Sequence, residues 1–303
     1  MSTFRIISFD GGGVRGALST RILKRLCDKN PSLLKETNLF AGTSTGGLIS
    51  LTLAYGLNGK DVDNFYSYGN IKKVFTPKRF NLIHPRFKNK ELKDFITSII
   101  PIETRVSDLK KFIFIPAFNL QGVTKDHWQG VFFNNIKDNP TYTEKIVDVA
   151  IASSAAPTYF PSHNNYIDGG VITNSPAIAS VITTMHNLPG KYKLDDFRVI
   201  SIGTGITPKR IKSRTNNWGI LQWALRPFSS VKLPLISVLL NDTVPLEDLY
   251  CRELLGDNYF RINPILLEDI DIDNYKKVPL LKETADKYSL EKANSFIRER
   301  FLR

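Results

Sequence analysis

Short apolar runs rich in β-branched and aromatic residues alternate along the chain with stretches whose apolar positions recur at intervals of three and four. Phe4 to Phe9 reads as a strand, and beyond a run of glycines Ala17, Leu18, Ile22, Leu23 and Leu26 fall on one helical face. The punctuation repeats: Asn38 to Ala41 leads into Gly42-Thr43-Ser44-Thr45-Gly46, and an apolar helix continues through Leu48 to Ala54. Asn89 predicts a helix N-terminus running to Ile100, where Pro101 ends it. Lys111 to Leu120 reads as a buried strand that Pro116 pushes towards an edge or a bulge, and Trp128 to Phe133 as another. Thr141 with Glu144 forms a capping-box pattern for a helix reaching about Ala155. Tyr166-Ile167 leads to Asp168-Gly169-Gly170, Asn174 and Pro176 open a helix to about Met185, and Phe197 to Ile202 is a strand leaving through Gly203-Thr204-Gly205.

Strands alternating with helices predict an α/β layered fold with a mostly parallel central sheet flanked by helices, and sites in loops beyond the carboxyl ends of the strands. All four glycine-rich turns fall at such ends. From Ile206 the reading is mostly helical (Trp218–Leu225, Leu235–Leu240, Leu246–Leu255, Lys282–Phe301), with a short apolar piece at Tyr259–Ile262. The expected organisation is a core over 1–205 and a helical region over 206–303 packed on it rather than folding alone.

Composition narrows the class. With 303 residues, 11% aromatic and 42% hydrophobic, the chain is globular, and 19 Gly and 16 Pro without a period exclude collagen-like and low-complexity classes. Two cysteines, Cys27 and Cys251, cannot staple a secreted scaffold and fit a reducing compartment. Met1 to Phe9 lacks the basic flank and apolar core of a signal peptide, and no run approaches ~18 apolar residues, so a cytoplasmic protein without a transmembrane helix is expected. The net charge of +12 is concentrated in two acid-free stretches with seven basic residues each, 64–90 and 197–241.

Gly42 to Gly46 matches the G-x-S-x-G nucleophile elbow, a sharp strand-to-helix turn that lifts a serine hydroxyl clear of the backbone. A bare match is more often a turn capping a helix. Gly11-Gly12-Gly13 could turn main-chain N–H groups towards an oxyanion, the other half of acyl-transfer chemistry. The same loop satisfies a rival pattern, because Gly11, Gly13 and Gly16 form G-x-G-x-x-G between strand and helix. The acid that holds a ribose is absent: the second strand ends at Thr43-Ser44 and Glu36 precedes it. A nucleotide-binding regulator using Gly11 to Gly16 stays as the alternative function. Asp168 at a strand end could act as general base to Ser44. His186 would complete the chain order of an α/β-hydrolase triad but sits at a helix end, while His163, in the loop before Asp168, competes better; His84 and His127 read as loop residues. No ligand spacing suggests a metal.

Taken together, Asp10-Gly11-Gly12-Gly13-Val14-Arg15-Gly16, Gly42-Thr43-Ser44-Thr45-Gly46-Gly47 and Asp168-Gly169-Gly170 resemble the signature set of patatin-like phospholipases, from Phe4 to about Gly205. The resemblance implies lipid acyl hydrolysis by a Ser44/Asp168 dyad, an oxyanion hole from Gly11, Gly12 and Gly13 with Arg15 supporting the loop, and neither cofactor nor metal. Gly16, Gly42, Gly46, Gly169 and Gly170 belong to the same motifs. The expected substrate is a phospholipid or lysophospholipid. Lys209, Arg210, Lys212 and Arg214 ahead of Trp218 and Trp223 suit peripheral contact with an anionic membrane surface, and no recognition motif for nucleic acid is present.

Overall fold

The structure, a computed structural model, describes residues 3–77, 83–122, 127–136, 139–206, 211, 213–225, 233–241 and 244–303. Among the described residues seven strands form one sheet: β1 (Phe4–Phe9), β2 (Leu39–Gly42), β3 (Phe112–Asn119), β4 (Gln129–Phe133), β5 (Tyr166–Asp168), β6 (Phe197–Ile202) and β7 (Tyr259–Ile262). Their order is β4-β3-β2-β1-β6-β7, with β5 paired to β3. β3, β2, β1, β6 and β7 are mutually parallel, while β4 and β5 run antiparallel to β3.

Alternation along each strand sorts the apolar side chains to two faces, both buried as a parallel sheet requires. Ile7 and Phe9 of β1, Phe40 of β2, and Ile200 and Ile202 of β6 pack into one core with the helices Gly16–Lys29 and Thr45–Tyr55. Phe4 and Ile6, Leu39 and Ala41, and Phe197 and Val199 pack into the other, against the helices Ala177–Asn187 and Val244–Leu255. The register places Ile6 between Leu39 and Val199, so like faces meet.

Pro116 is accommodated inside β3 rather than at a sheet edge. The β2 ladder ends at Phe114 and the β5 ladder begins at Ala117, so the missing N–H falls where neither strand needs it. The helix expected from Thr141 instead spans Ile146–Ser153 after Lys145, because the Thr141 hydroxyl is engaged by Asn139 and by the Asn134 N–H. The apolar piece at Tyr259–Ile262 is the edge strand β7, parallel to β6. The helix read over Lys282–Phe301 is two, Val278–Lys287 and Glu291–Phe296, the second running into a π turn at Ile297–Phe301. The first of these packs on Gly16–Lys29.

Candidate active site

The turn from β2 into the helix Thr45–Tyr55 holds Ser44 at φ 54°, ψ −120°, a region that costs a non-glycine residue about 1–3 kcal/mol. Packing on both sides enforces it. A Cβ on Gly42 would lie 2.1 Å from the Gly46 carbonyl oxygen, and one on Gly46 would lie 2.3 Å from that of Phe9. The Ser44 N–H donates to Ser153 Oγ at 3.1 Å, whose own hydroxyl donates to the Pro116 carbonyl at 2.6 Å. The hydroxyl of Ser44 is thereby left at the wall of a cavity, beside the positive end of the following helix.

Asp168 ends β5, opposite Ala117 of β3, and is 2% exposed. Its carboxylate accepts the Gly170 N–H at 2.7 Å and lines the same cavity as Ser44. Burial pushes its pKa from 3.8 up to about 6, against the downward pull of the Gly170 N–H and of the nearby Ser44 hydroxyl. Gly169 allows the turn to press on β3, since its Cβ would fall 2.3 Å from the Pro116 carbonyl oxygen. Serine and acid, 124 positions apart, are thus brought to one cavity, close enough for the serine hydroxyl to act on the acid's pKa.

The glycine loop after β1 faces the same cavity, with one revision to the sequence reading. The Gly11 N–H donates to the Asn174 carbonyl at 3.0 Å, which withdraws it from an oxyanion hole. Gly12 and Gly13 line the cavity, and among the described residues no acceptor takes either N–H. Gly13, at φ 56°, has no space for a side chain: its Cβ would lie 2.1 Å from the Ile272 carbonyl oxygen, which also accepts the Val14 N–H at 2.8 Å. Gly16 brings its helix against Thr45, whose Oγ1 would stand 2.4 Å from an added Cβ. Arg15 is buried rather than a surface charge; burial lowers its pKa while Asp269, Asp10 and Asp271 favour the cation.

Several supports come from residues that carried no sequence signal. Arg261 of β7 clamps Asp10 with both terminal nitrogens, one at 2.8 Å, and donates to Ser201 Oγ at 2.6 Å. Glu247 accepts the Ser175 N–H at 2.7 Å and the Thr173 hydroxyl, and burial pushes its pKa up to about 7. The segment it grips, 173–175, in turn holds both motifs: the Thr43 hydroxyl donates to the Thr173 carbonyl at 2.8 Å, and Asn174 takes the Gly11 N–H. Long-range contacts of this kind leave no local pattern to read.

Beyond Ser44 and Asp168 the cavity is apolar, walled by Leu48, Ile71, Val74, Phe75, Leu92, Phe95, Tyr159 and Phe160, with Leu240 and Ile272 at its side. No histidine lines it among the described residues; His163 instead contacts Asp148 at 2.7 Å, and His186 lies in the last turn of Ala177–Asn187. Of the candidate membrane contacts, Lys209, Arg210 and Lys212 lie outside the described residues. Arg214 is exposed, and Trp218 and Trp223 are half-buried edge to face, ring centres 5.2 Å apart. Between them Ile220 and Leu221 are 87% and 79% exposed. Among the described residues no helix is long and apolar enough to cross a membrane, and no three side chains converge as metal ligands.

The chain is similar to known proteins over its whole length. A family model described as patatin-like phospholipase matches residues 7–180. Protein teg of Priestia megaterium is 33% identical over 322 residues, covering 98% of each chain. The putative sporulation hydrolase CotR of Bacillus subtilis is 32% identical, covering 99% of this chain and 98% of its own. A cGAMP-activated phospholipase of Escherichia coli is 26% identical, with 89% and 83% covered.

Proposed function

The chain belongs to the patatin-like phospholipase family, and from that premise we propose that it hydrolyses fatty-acyl esters of phospholipids or lysophospholipids through an acyl-enzyme on Ser44. The observation that carries the reading is that Ser44, in its strained strand-to-helix turn, and the buried Asp168 carboxylate line one largely apolar cavity together with Gly12 and Gly13. In the first step Asp168 takes the hydroxyl proton as Ser44 Oγ bonds to the ester carbon. The oxyanion rests on the Gly12 and Gly13 N–H groups, where a single donor is worth about 3 kcal/mol. Collapse expels the alcohol, which leaves with the proton held by Asp168. Water then repeats the sequence on the acyl-enzyme, releasing the fatty acid and restoring Ser44. A carboxyl poised at about 6 is ionised at neutral pH yet basic enough to accept the proton.

Peripheral contact with a membrane fits the surface around the cavity. The helix Pro234–Asn241 sends Leu240 into the cavity wall, while Leu235, Val238 and Leu239 of the same helix are exposed, as are Ile220 and Leu221. We also read residues 206–303 as part of the catalytic folding unit, since β7 and Glu247 both hold site segments in place.

A fluorophosphonate probe is expected to label Ser44 in the wild type and nothing in Ser44→Ala. Fatty-acid release from mixed phospholipid vesicles, followed by mass spectrometry, should vanish in Ser44→Ala and Asp168→Asn. Release that survives Asp168→Asn and disappears in His163→Ala would replace the dyad by a triad.

A further inference from the structure

We propose that Ser154 is a further catalytic residue, whose hydroxyl oxygen holds the water that cleaves the acyl-enzyme, an inference that rests on the hydrolase reading above. Ser154 follows the helix Ile146–Ser153 and lines the cavity with Ser44 and Asp168. Its neighbours on either side hold those two residues. Ser153 Oγ accepts the Ser44 N–H at 3.1 Å, and the Ala155 carbonyl accepts the Asp168 N–H at 3.1 Å. Ser154 is therefore one Cα step, about 3.8 Å, from each anchor.

The water that enters once the alcohol has left meets few free polar groups, although an enclosed water needs two to four polar partners. In the acyl-enzyme the Ser44 hydroxyl is gone, and the Gly12 and Gly13 amides hold the acyl oxygen. Thr45 Oγ1 and the Tyr66 hydroxyl bond each other at 2.6 Å, and the Tyr66 hydroxyl also donates to the Thr45 carbonyl at 3.0 Å. The Tyr159 hydroxyl stands in the field of Asp273, Asp271 and Arg86, none of which acts on Asp168. The Asn174 carboxamide is packed between Gly11 and Gly170, with Oδ1 at 2.1 Å and 3.3 Å from where their Cβ atoms would be. Ser154 differs from all of these. Its N–H donates to the Ile151 carbonyl and its own carbonyl accepts the Ala156 N–H, while among the described residues its hydroxyl has no partner. Asp168 and Ser154 are left as the pair that a water can bridge.

The hydrogens balance on that pair. The water donates one hydrogen to Asp168 and the other to Ser154 Oγ, which leaves a lone pair for the acyl carbon. As the new carbon–oxygen bond forms, the first proton passes to Asp168. Collapse breaks the bond to Ser44 Oγ, which takes that proton back, and the second hydrogen stays on the fatty acid. An alcohol attacking in place of water has a single hydroxyl hydrogen, which Asp168 takes. It has none to give to Ser154, so the proposed contact favours water over alcohols.

The test partitions the acyl-enzyme between the two acceptors. Full-length wild type, Ser154→Ala and the near-isosteric pair Ser154→Thr and Ser154→Val are given p-nitrophenyl butyrate in aqueous methanol, and methyl butyrate and butyrate are quantified. The ester-to-acid ratio is expected to rise about fivefold in Ser154→Ala, as loss of one neutral hydrogen bond implies. Ser154→Val should exceed Ser154→Thr by a similar factor. A change of packing alone slows both acceptors together and leaves the ratio where it was. Equal ratios in wild type and Ser154→Ala overturn the inference, and so do equal ratios in the threonine and valine variants, which decide alone if Ser154→Ala does not fold. Should the wild type release p-nitrophenol no faster than Ser44→Ala, the hydrolase reading fails and takes this inference with it. Release that depends on Ser44 with an unshifted ratio fails the inference alone.

Discussion

Asp168→Asn is expected to make the protein more stable at neutral pH while abolishing its activity. The folded state holds the Asp168 carboxyl at about 6 against 3.8 for the free side chain, because burial strips water from the anion. At about 1.4 kcal/mol per pKa unit, the ionised form carries a penalty of about 3 kcal/mol. The sign follows from proton uptake. Between pH 3.8 and about 6 the folded chain binds a proton that the unfolded chain has released, so stability falls as pH rises through that window and is level above it. Asparagine removes the charge and keeps the acceptor role, Oδ1 taking the Gly170 N–H. Urea unfolding at pH 7.5 should give a gain approaching 3 kcal/mol, a midpoint shift of about 1 M at an m-value of roughly 3 kcal/mol/M. At pH 4, where the folded wild type is protonated, the gain should largely disappear. A variant no more stable than wild type at pH 7.5, or a gain that persists unchanged at pH 4, would refute the reasoning.

With Asp168 as base, kcat/KM on an uncharged short-chain ester should rise tenfold per pH unit below about 6 and level off above, leaving about a tenth of the plateau at pH 5; a flat profile from pH 5 to 7 counts against it. Arg261→Ala leaves the Asp10 carboxylate buried without its bidentate partner and should cost about 3–5 kcal/mol in urea unfolding. Asp10→Asn in the same chain should recover part of that loss, and its failure to do so would show that packing, not charge, sets the cost.

The catalytic candidates were legible because each sits in a short segment whose residue types are fixed by local geometry. Gly42 and Gly46 flank Ser44 since backbone lies within 2.3 Å of where their side chains would be, and Gly169 follows Asp168 for the same reason. The alternation of strands and helices was legible because both faces of the sheet are buried. What was hidden depends on partners remote in sequence. Gly11 looked equivalent to Gly12 and Gly13 until Asn174 was seen to take its N–H. Glu247, within the helix expected over Leu246–Leu255, and Arg261, within the apolar piece Tyr259–Ile262, carry no local signal, and only the third dimension sets them against Ser175 and Asp10. β7 was missed as a strand because four residues at a sheet edge, two of them half-exposed, lack the length and alternation that mark the inner strands. Thr141 misled because its hydroxyl serves Asn134 and Asn139 instead of a helix.

The carbonyl of Ile272 that receives the Val14 N–H has a consequence for the timing of biosynthesis. A ribosome extrudes Ser44 and Asp168 well before it reaches Ile272, and at about 5–20 residues per second the intervening stretch takes roughly 5–20 s to make. Through that interval the nascent chain carries Ser44 and Asp168 but neither the brace behind its glycine loop nor the Arg261 clamp on Asp10. The chain therefore leaves the translation machinery with its candidate site unassembled, and the glycine loop gains its brace only after the late-made third has docked.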